Sequence, residues 1–231
     1  MSIKTKVLTA AAALTIAGGL STAATLPASA STTQCGSACV QIFSKMFGPG
    51  FVESVFQGIP AAGQPTILHR ASSSDPTGDF INPLGHPVLV SDFYAKGMVS
   101  AAVNAHYGSE PAVQVEYAPY GQATGLCAAV ATTAYQNEGL SLQPCSTPGT
   151  TVFIIDFADA PAAKPYFPIV NASTTDFTHP FTMTIHGNPA DIPFPQITLQ
   201  HLHGNPAHVP DNQLWTPHPA PRIRKPRSHP E

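Results

Sequence analysis

The stretch that decides the fold runs from residue 126 to residue 155 and reads LCAAVATTAYQNEGLSLQPCSTPGTTVFII. It contains two short apolar runs, Leu126–Ala131 and Leu140–Gln143, and most of a third, Thr151–Phe157. The runs are separated by Asn137-Glu138-Gly139 and by Pro148-Gly149, and residues of these types are typical of tight turns. Apolar runs of this length between turns predict successive β-strands.

The same pattern continues on both sides of this stretch. Further candidate strands are Thr66–Arg70, Asp79–Asn82, Val88–Phe93, Met98–Asn104, Val113–Ala118, Pro180–Ile185, Gln196–Leu202 and Gln213–Trp215. Pro and Gly, at 25 and 17 of 231 residues, are too frequent for long helices and too few for a disordered chain. We therefore expect an all-β domain over residues 63–216, built as a barrel or as a sandwich.

Residues 31–62 differ from this domain, because their apolar residues recur at intervals of three and four. Such spacing is typical of one face of a helix, and it is shown by Cys39, Val40, Phe43, Met46 and Phe47. Gly48-Pro49-Gly50 is a helix stop. The sequence therefore predicts a short N-terminal helical segment that packs on the β domain.

The two ends of the chain carry their own signals. Residues 1–30 begin with Lys4 and Lys6, continue in an uncharged run and end in Ala28-Ser29-Ala30, which is the pattern of a cleaved signal peptide. The uncharged run is short for a membrane span. We therefore expect an extracellular, secreted protein with no transmembrane segment in its mature chain. Residues 217–231 are rich in Pro and Arg and predict a disordered tail.

Charge is unevenly distributed along the mature chain. Residues 31–216 contain four basic and twelve acidic residues, a net charge of −8, whereas the tail is basic through Arg222, Arg224, Lys225 and Arg227. An acidic body argues against nucleic acid as a partner. The basic tail is either a contact for anionic polymers or a solvated end.

All four cysteines follow residue 30, and an even number in an exported chain predicts disulfides. Four cysteines allow three pairings, of which the local one joins Cys35 to Cys39 and Cys127 to Cys145. Zinc binding is the alternative, although neither spacing is that of a Cys-x-x-Cys motif.

The stretch 126–155 resembles one repeat of the ricin-type β-trefoil lectins. In that repeat a Leu-Cys strand precedes an alternating strand that ends in the partner Cys, and a Gln-x-Trp strand follows. Leu126-Cys127 and Cys145 match the first two elements, and Asn212-Gln213-Leu214-Trp215 matches the third. The resemblance implies a bridge between Cys127 and Cys145 and a β-trefoil-like fold, with a β-sandwich as the alternative. It also implies three repeats, near residues 64–110, 111–175 and 176–216.

The matching repeat lacks the sugar-binding residues of that family. Ala129 stands where the lectins have an Asp, and Gln143 stands where they have an aromatic residue that stacks on the sugar. Sugar binding needs hydrogen-bonding groups beside an apolar platform, so we expect this repeat to be structural. The Ala-rich leader and the start of the mature chain, Cys35-Gly36-Ser37-Ala38-Cys39, are also similar to those of secreted actinobacterial proteins.

Aromatic residues near turns are the candidates for a ligand platform. Tyr117 and Tyr120 flank Pro119, and a loop of this kind presents flat rings to a glycan. The alternative is that each ring packs at the edge of the core. The resemblance adds three residues to the candidate glycan site, which are Asn212, Gln213 and Trp215.

His201, His203 and His208 are candidate ligands for zinc or copper. Residues two apart on a strand point to the same side, so His201 and His203 would face one ion. The alternative is a polar strand face in a chain that has ten histidines. No other cofactor is indicated, since the sequence has no phosphate loop, dinucleotide fingerprint or calcium loop.

The sequence offers little support for catalysis. It has no Gly-x-Ser-x-Gly nucleophile motif, and we interpret the pairs Asp75/Asp79 and Asp156/Asp159 as turn and surface residues. We therefore predict a secreted, non-enzymatic binding protein of lectin-like fold for cell-wall or environmental glycans. The alternatives are an extracellular hydrolase and a structural envelope protein without a small ligand.

Overall fold

The computed structural model describes residues 39–72, 74–159, 165–187, 191–204 and 208–219. The elements, in chain order, are β1 (Cys39–Ser44), β2 (Phe51–Val55), β3 (Thr66–Arg70), β4 (Phe80–Ile81), β5 (Val88–Leu89), α1 (Val90–Ala95), α2 (Ala101–Tyr107), β6 (Pro111–Val113), β7 (Glu116–Tyr117), β8 (Leu126–Ala129), β9 (Ser141–Pro144), β10 (Phe153–Ile155), β11 (Ile169–Asn171), β12 (Phe181–Ile185), β13 (Ile197–His201) and β14 (Trp215–Pro219). The predicted signal peptide, Cys35 and residues 220–231 lie outside the described residues.

Six strand positions close a barrel, and one of them is shared by β6 and β7, which only Gln114 and Val115 separate in the chain. β1 pairs with β14, from Val40 opposite Pro219 to Ser44 opposite Trp215, and with β4 on its other side. β4 also pairs with β7, and β10 pairs with both β6 and β11. A bridge between Phe167 and Trp215, just before β11, completes the ring. Closure of the barrel thus pairs β1, the first described strand, with β14, the last one.

Three hairpins, β2–β3, β8–β9 and β12–β13, are added to this barrel. Their second strands meet around a pseudo-threefold axis. The Thr66 N–H donates to the Leu140 carbonyl (3.0 Å), and the Leu140 N–H donates to the Ile197 carbonyl (2.8 Å). The Leu68 N–H donates to the carbonyl of Pro195 (2.9 Å), next to β13. Three four-stranded repeats about one axis are the β-trefoil arrangement, so the predicted fold class is confirmed.

Apolar side chains fill the space between the barrel and the hairpins. The largest fully buried members of this core are Leu68, Phe80, Tyr117, Leu140, Leu142, Phe153, Met183, Ile185, Ile197 and Trp215. They come from all three repeats, so no repeat can bury its apolar face alone. The core therefore requires the full set of repeats that the closed barrel brings together.

The predicted N-terminal helix is wrong over the described residues. Cys39–Ser44 and Phe51–Val55 are strands of the barrel and of the first hairpin. In β1 only Val40 is partly exposed, and even Gln41 is buried. A strand buried on both faces shows no period of two, so its apolar spacing is indistinguishable from that of a helix. β1 and β2 therefore belong to the β domain and to its first repeat, so the domain does not start at residue 63.

The opposite error concerns Val88–Phe93 and Met98–Asn104, for which the sequence predicts strands. Most of these residues lie in α1 and α2. The Ser100 hydroxyl accepts from the Val103 N–H at 3.2 Å and caps α2. Both helices pack on the outer face of the strands β6, β10 and β11 through a second core, to which they contribute Val90, Phe93, Val103 and Tyr107.

The disulfide implied by the resemblance is confirmed. Cys127 of β8 is bonded to Cys145, which follows β9, and the two Cα atoms are 4.9 Å apart. The predicted pairing of Cys35 with Cys39 falls partly outside the described residues.

The C-terminal boundary of the domain also differs from the prediction. Residues 217–219 continue β14 and pair with β1, so they belong to the barrel and not to the tail. Among the described ranges, no helix is both long and apolar enough to cross a membrane.

Candidate ligand-binding site

A pocket of about 330 Å³ lies where the first hairpin meets the third repeat. Its wall consists of the end of β2 with the turn that follows, β3, the turn before β4 and the loop before β13. The lining residues are Val55, Phe56, Gln57, Ile67, His69, Asp75, Thr77 and Phe194. The pocket therefore combines an apolar floor with hydrogen-bonding groups.

Aromatic rings form one side of this pocket. The Phe194 ring lies 5.9 Å from the Phe56 ring and 5.2 Å from the His69 ring, measured between centroids. Phe194 is 47% exposed and has φ +85°, a backbone conformation that bulky residues rarely adopt. Such strain costs about 1–3 kcal/mol and is concentrated at ligand sites. The Phe194 ring thus lies at the exposed edge of the pocket although its backbone conformation is unfavourable.

A carboxylate and an imidazole form the polar side. Asp75 Oδ2 lies 3.3 Å from His69 Nδ1, and Asp75 Oδ1 accepts from the Thr77 N–H at 2.9 Å. The second contact fixes the carboxylate, because it caps the short 3₁₀ turn Pro76–Gly78. The predicted turn role of Asp75 is thus present, and the same side chain also lines the pocket.

Asp79, close to Asp75 in the chain, adds a second carboxyl group near the pocket. Burial raises the pKa of Asp79 to about 6, against a hydrogen bond from the Tyr120 backbone N–H, and the charge of Asp75 raises it further. No Lys or Arg is among the described residues that line the pocket. The site therefore favours neutral or cationic ligands over anionic ones.

The two tyrosines predicted as a platform lie in different environments. Tyr117 is fully buried in the core, and its hydroxyl donates to the Gly58 carbonyl at 3.1 Å, so the prediction of an exposed platform is wrong for this residue. Tyr120 is 44% exposed and lies in the 3₁₀ turn Pro119–Gly121, which contacts the Asp75–Asp79 turn. Ligand binding by Tyr120 stays a prediction.

Backbone carbonyls accept hydrogen bonds from the side chains of Asn212, Gln213 and Trp215. Gln213 Nε2 donates to the carbonyl of His201 (2.8 Å), and its Oε1 accepts from the His203 N–H (2.9 Å). The Trp215 indole N–H donates to the Met183 carbonyl at 2.8 Å, while Asn212 Nδ2 donates to a β12 carbonyl. Gln213 and Trp215 are fully buried, so neither is available to a sugar.

The predicted histidine site is not assembled. Strand β13 ends at His201, so His203 lies beyond it and the argument from a shared strand face fails. The Nδ1 of His201 lies 2.6 Å from the His179 carbonyl, and the His201 ring packs on Phe181. Within the described part of the chain, no group of three His, Cys, Asp or Glu side chains is placed to hold a metal ion. His208 is exposed.

Sequence reasoning missed the pocket because its members are far apart in the chain. Phe56 and His69 belong to the first hairpin, whereas Phe194 comes from a loop more than one hundred residues later. The only local signal was the Asp75-Pro76-Thr77-Gly78 turn, which placed a carboxylate at a loop but named no partner for it.

Comparison with solved structures identifies the fold and not a ligand. A designed threefold-symmetric protein, ThreeFoil, matches 78% of this chain and 97% of its own, with a TM-score of 0.52 and 9% identity. A mosquitocidal holotoxin matches 80% of this chain but 17% of its own, with a TM-score of 0.51 and 8% identity. An agglutinin from Abrus precatorius matches 78% of this chain and 46% of its own, with a TM-score of 0.41 and 14% identity.

The protein therefore has a β-trefoil fold. No family model matches the chain, and no curated protein matches it in sequence. A fold does not by itself define a function, which depends on the residues of the site.

Proposed function

We propose that the protein is a secreted, non-enzymatic glycan-binding protein. It binds a sugar in the pocket that is lined by Phe56, His69, Asp75 and Phe194. The observation that carries the proposal is the juxtaposition of an exposed aromatic ring with a fixed carboxylate–imidazole pair. Glycan sites combine such an apolar platform with a few oriented polar groups.

Each group has a defined task in this proposal. The apolar C–H face of a sugar ring packs on Phe194, which the backbone holds at the mouth. Asp75 Oδ2, 3.3 Å from His69 Nδ1, accepts a hydrogen bond from a sugar hydroxyl. Charge-assisted hydrogen bonds of this kind are stronger than neutral ones, so Asp75 contributes most of the specificity.

The glycan is neutral in this proposal. The lining contains no Lys or Arg to pair with a carboxylate sugar, and residues 31–216 carry a net charge of −8. Sialylated and uronic-acid glycans are repelled by such a surface. A neutral cell-wall or environmental polysaccharide avoids this cost.

A glycan array followed by calorimetry tests the proposal. We expect neutral glycans to bind, and Phe194→Ala and Asp75→Asn each to weaken binding about tenfold or more, a loss of about 1.4 kcal/mol or more. Asp75→Asn retains the Oδ1 acceptor for Thr77, so the turn is preserved. Tyr94→Ala, at an exposed aromatic residue of α1, is the matched control and should bind as the wild type does.

Two results would contradict this function. One is that no glycan binds at millimolar concentration. The other is that Tyr94→Ala weakens binding as much as Phe194→Ala does. Recovery of the bound glycan unchanged after long incubation supports binding without catalysis, whereas a shortened glycan favours the hydrolase alternative.

Export is the second part of the proposal. It is supported by the leader pattern of residues 1–30 and by the disulfide between Cys127 and Cys145. N-terminal sequencing of protein from the culture supernatant should begin at Ser31. Recovery of the intact leader from the cell pellet alone would contradict export.

A further inference from the structure

An open groove of about 210 Å³ lies among the barrel strands, where β1 begins and β4 ends. The apolar side chains of this barrel groove are chiefly those of Val40, Ile42, Val113, Ile155, Phe167 and Ile169. The groove opens to solvent at four exposed residues, which are Gly85, His86, Pro87 and Pro217. None of these residues lines the pocket at Phe194, so the two sites are separate. Apolar surface that faces water is unfavourable, so the barrel groove is suited to an apolar occupant.

Both ends of the described chain lie beside the barrel groove. Val40, which lines the groove, pairs with Pro219, the last described residue. Cys39, the first described residue, pairs with Ile81, which precedes the lining residue Asn82. The chain segments that precede Cys39 and follow Pro219 therefore both start at the groove.

Only the C-terminal segment carries a side chain that suits the barrel groove. Residues 31–38 contain no large apolar residue, whereas residues 220–231 contain Ile223. Ile223 is four residues beyond Pro219, a span of at most about 14 Å of extended chain. A cavity of about 150 Å³ holds benzene, so a groove of about 210 Å³ holds an isoleucine side chain.

Charge favours the same segment. Residues 31–216 carry a net charge of −8 and residues 217–231 a net charge of +3, and no Lys or Arg is among the described residues that line the groove. Two carboxylates lie within five residues of lining residues, Asp92 after Pro87 and Glu110 before Val113. Asp92 is held in place, because its Oδ2 accepts from the Leu89 N–H at 3.0 Å. The cations on either side of Ile223 therefore have acidic groups nearby on the barrel surface.

We propose that the C-terminal segment, residues 220–231, docks in the barrel groove of its own chain through the side chain of Ile223. Ile223 contacts the valine and isoleucine side chains of the groove, while Arg222 and Arg224 face the acidic surface around it. Docking removes apolar surface from water on both partners. The segment is then a strap that closes the groove to other ligands, and the basic tail has its partner within the same chain.

Methyl NMR of the chain from Ser31 to Glu231 tests this contact, with the Ile223 signal assigned from an Ile223→Val variant. We expect nuclear Overhauser contacts between the Ile223 δ1 methyl and the methyl groups of Val40 and Val113. The signal should also be displaced by the nearby Phe167 ring. An Ile223 methyl signal at the position of an unfolded chain, without these contacts, would overturn the proposal.

Exposure of the groove provides an independent test. Ile223→Asp should release the segment and raise the fluorescence of Nile red, a neutral apolar dye, severalfold. Ile192→Asp, the same change at an isoleucine that is 49% exposed outside the groove, is the matched control and should not raise it. Equal responses of the two variants would overturn the proposal. So would a dimer in light scattering whose Ile223 contacts appear only between differently labelled chains, because the occupant would then be the segment of a second copy.

Discussion

Replacement of Glu53 by Gln should change how the stability of the protein depends on pH. Glu53 lies on β2 opposite Leu68 of β3, and it is fully buried. Among the described residues, neither carboxyl oxygen has a hydrogen-bond partner. Burial raises the pKa of Glu53 from 4.5 to about 8. The folded protein therefore keeps this carboxyl neutral at neutral pH.

The size of the effect follows from that shift in pKa. Between pH 4.5 and pH 8 the unfolded chain releases the proton and the folded chain retains it. The unfolded state then binds fewer protons, so the free energy of unfolding falls as pH rises, by about 1.4 kcal/mol per pH unit. Over the whole window the loss is about 5 kcal/mol, a large part of the 5–15 kcal/mol that is typical of a domain.

Urea denaturation at pH 5, 7 and 9 measures this loss. Glu53→Gln should resemble the wild type at pH 5 and exceed its stability by several kcal/mol at pH 9. Glu110→Gln, a change of the same type at a half-buried residue after α2, is the control and should follow the wild-type profile. Parallel pH profiles for the wild type and Glu53→Gln would refute the reasoning.

Three further changes test the fold and the site. Replacement of both Cys127 and Cys145 by Ser opens a loop with a sequence separation of 18 and should cost about 3 kcal/mol in urea denaturation; reduced wild type should lose as much. Phe194→Gly should leave the free energy of unfolding unchanged or raise it, because glycine adopts φ +85° without strain. Calorimetry should show that the same variant loses affinity for the glycan. A loss of stability above about 1 kcal/mol would argue against backbone strain at Phe194. Trp215→Phe leaves the Met183 carbonyl without its donor and should cost at least about 1–3 kcal/mol; an unchanged thermal midpoint, Tm, would show that this hydrogen bond is not needed.

Much of the fold could be predicted because its signals are local. The runs around Cys127 and Cys145, the turns between them and the Gln213-x-Trp215 element each belong to a few adjacent residues. Prediction failed where tertiary contacts override the local pattern. β1 looks helical because it is buried on both faces, and Met98–Asn104 forms a helix because it packs against the outside of the barrel.

The candidate site was harder to predict, because aromatic residues and histidines have no local signature of exposure. Tyr117 and Tyr120 are three residues apart, yet the first is fully buried and the second 44% exposed. Gln213 and Trp215 match a lectin motif, but their polar atoms are used by backbone groups of neighbouring strands. Burial and pairing of this kind depend on the whole chain.

The sequence by itself determined the β-rich character of the chain, the bridge between Cys127 and Cys145 that the lectin resemblance implied, and the trefoil as the leading fold. These properties follow from turn residues, short apolar runs and motif spacing, which act over short stretches of chain. Only the tertiary structure decided that Phe194 packs on His69 and lines one pocket with Asp75. That arrangement depends on the tertiary fold, which brings residues from distant repeats into contact.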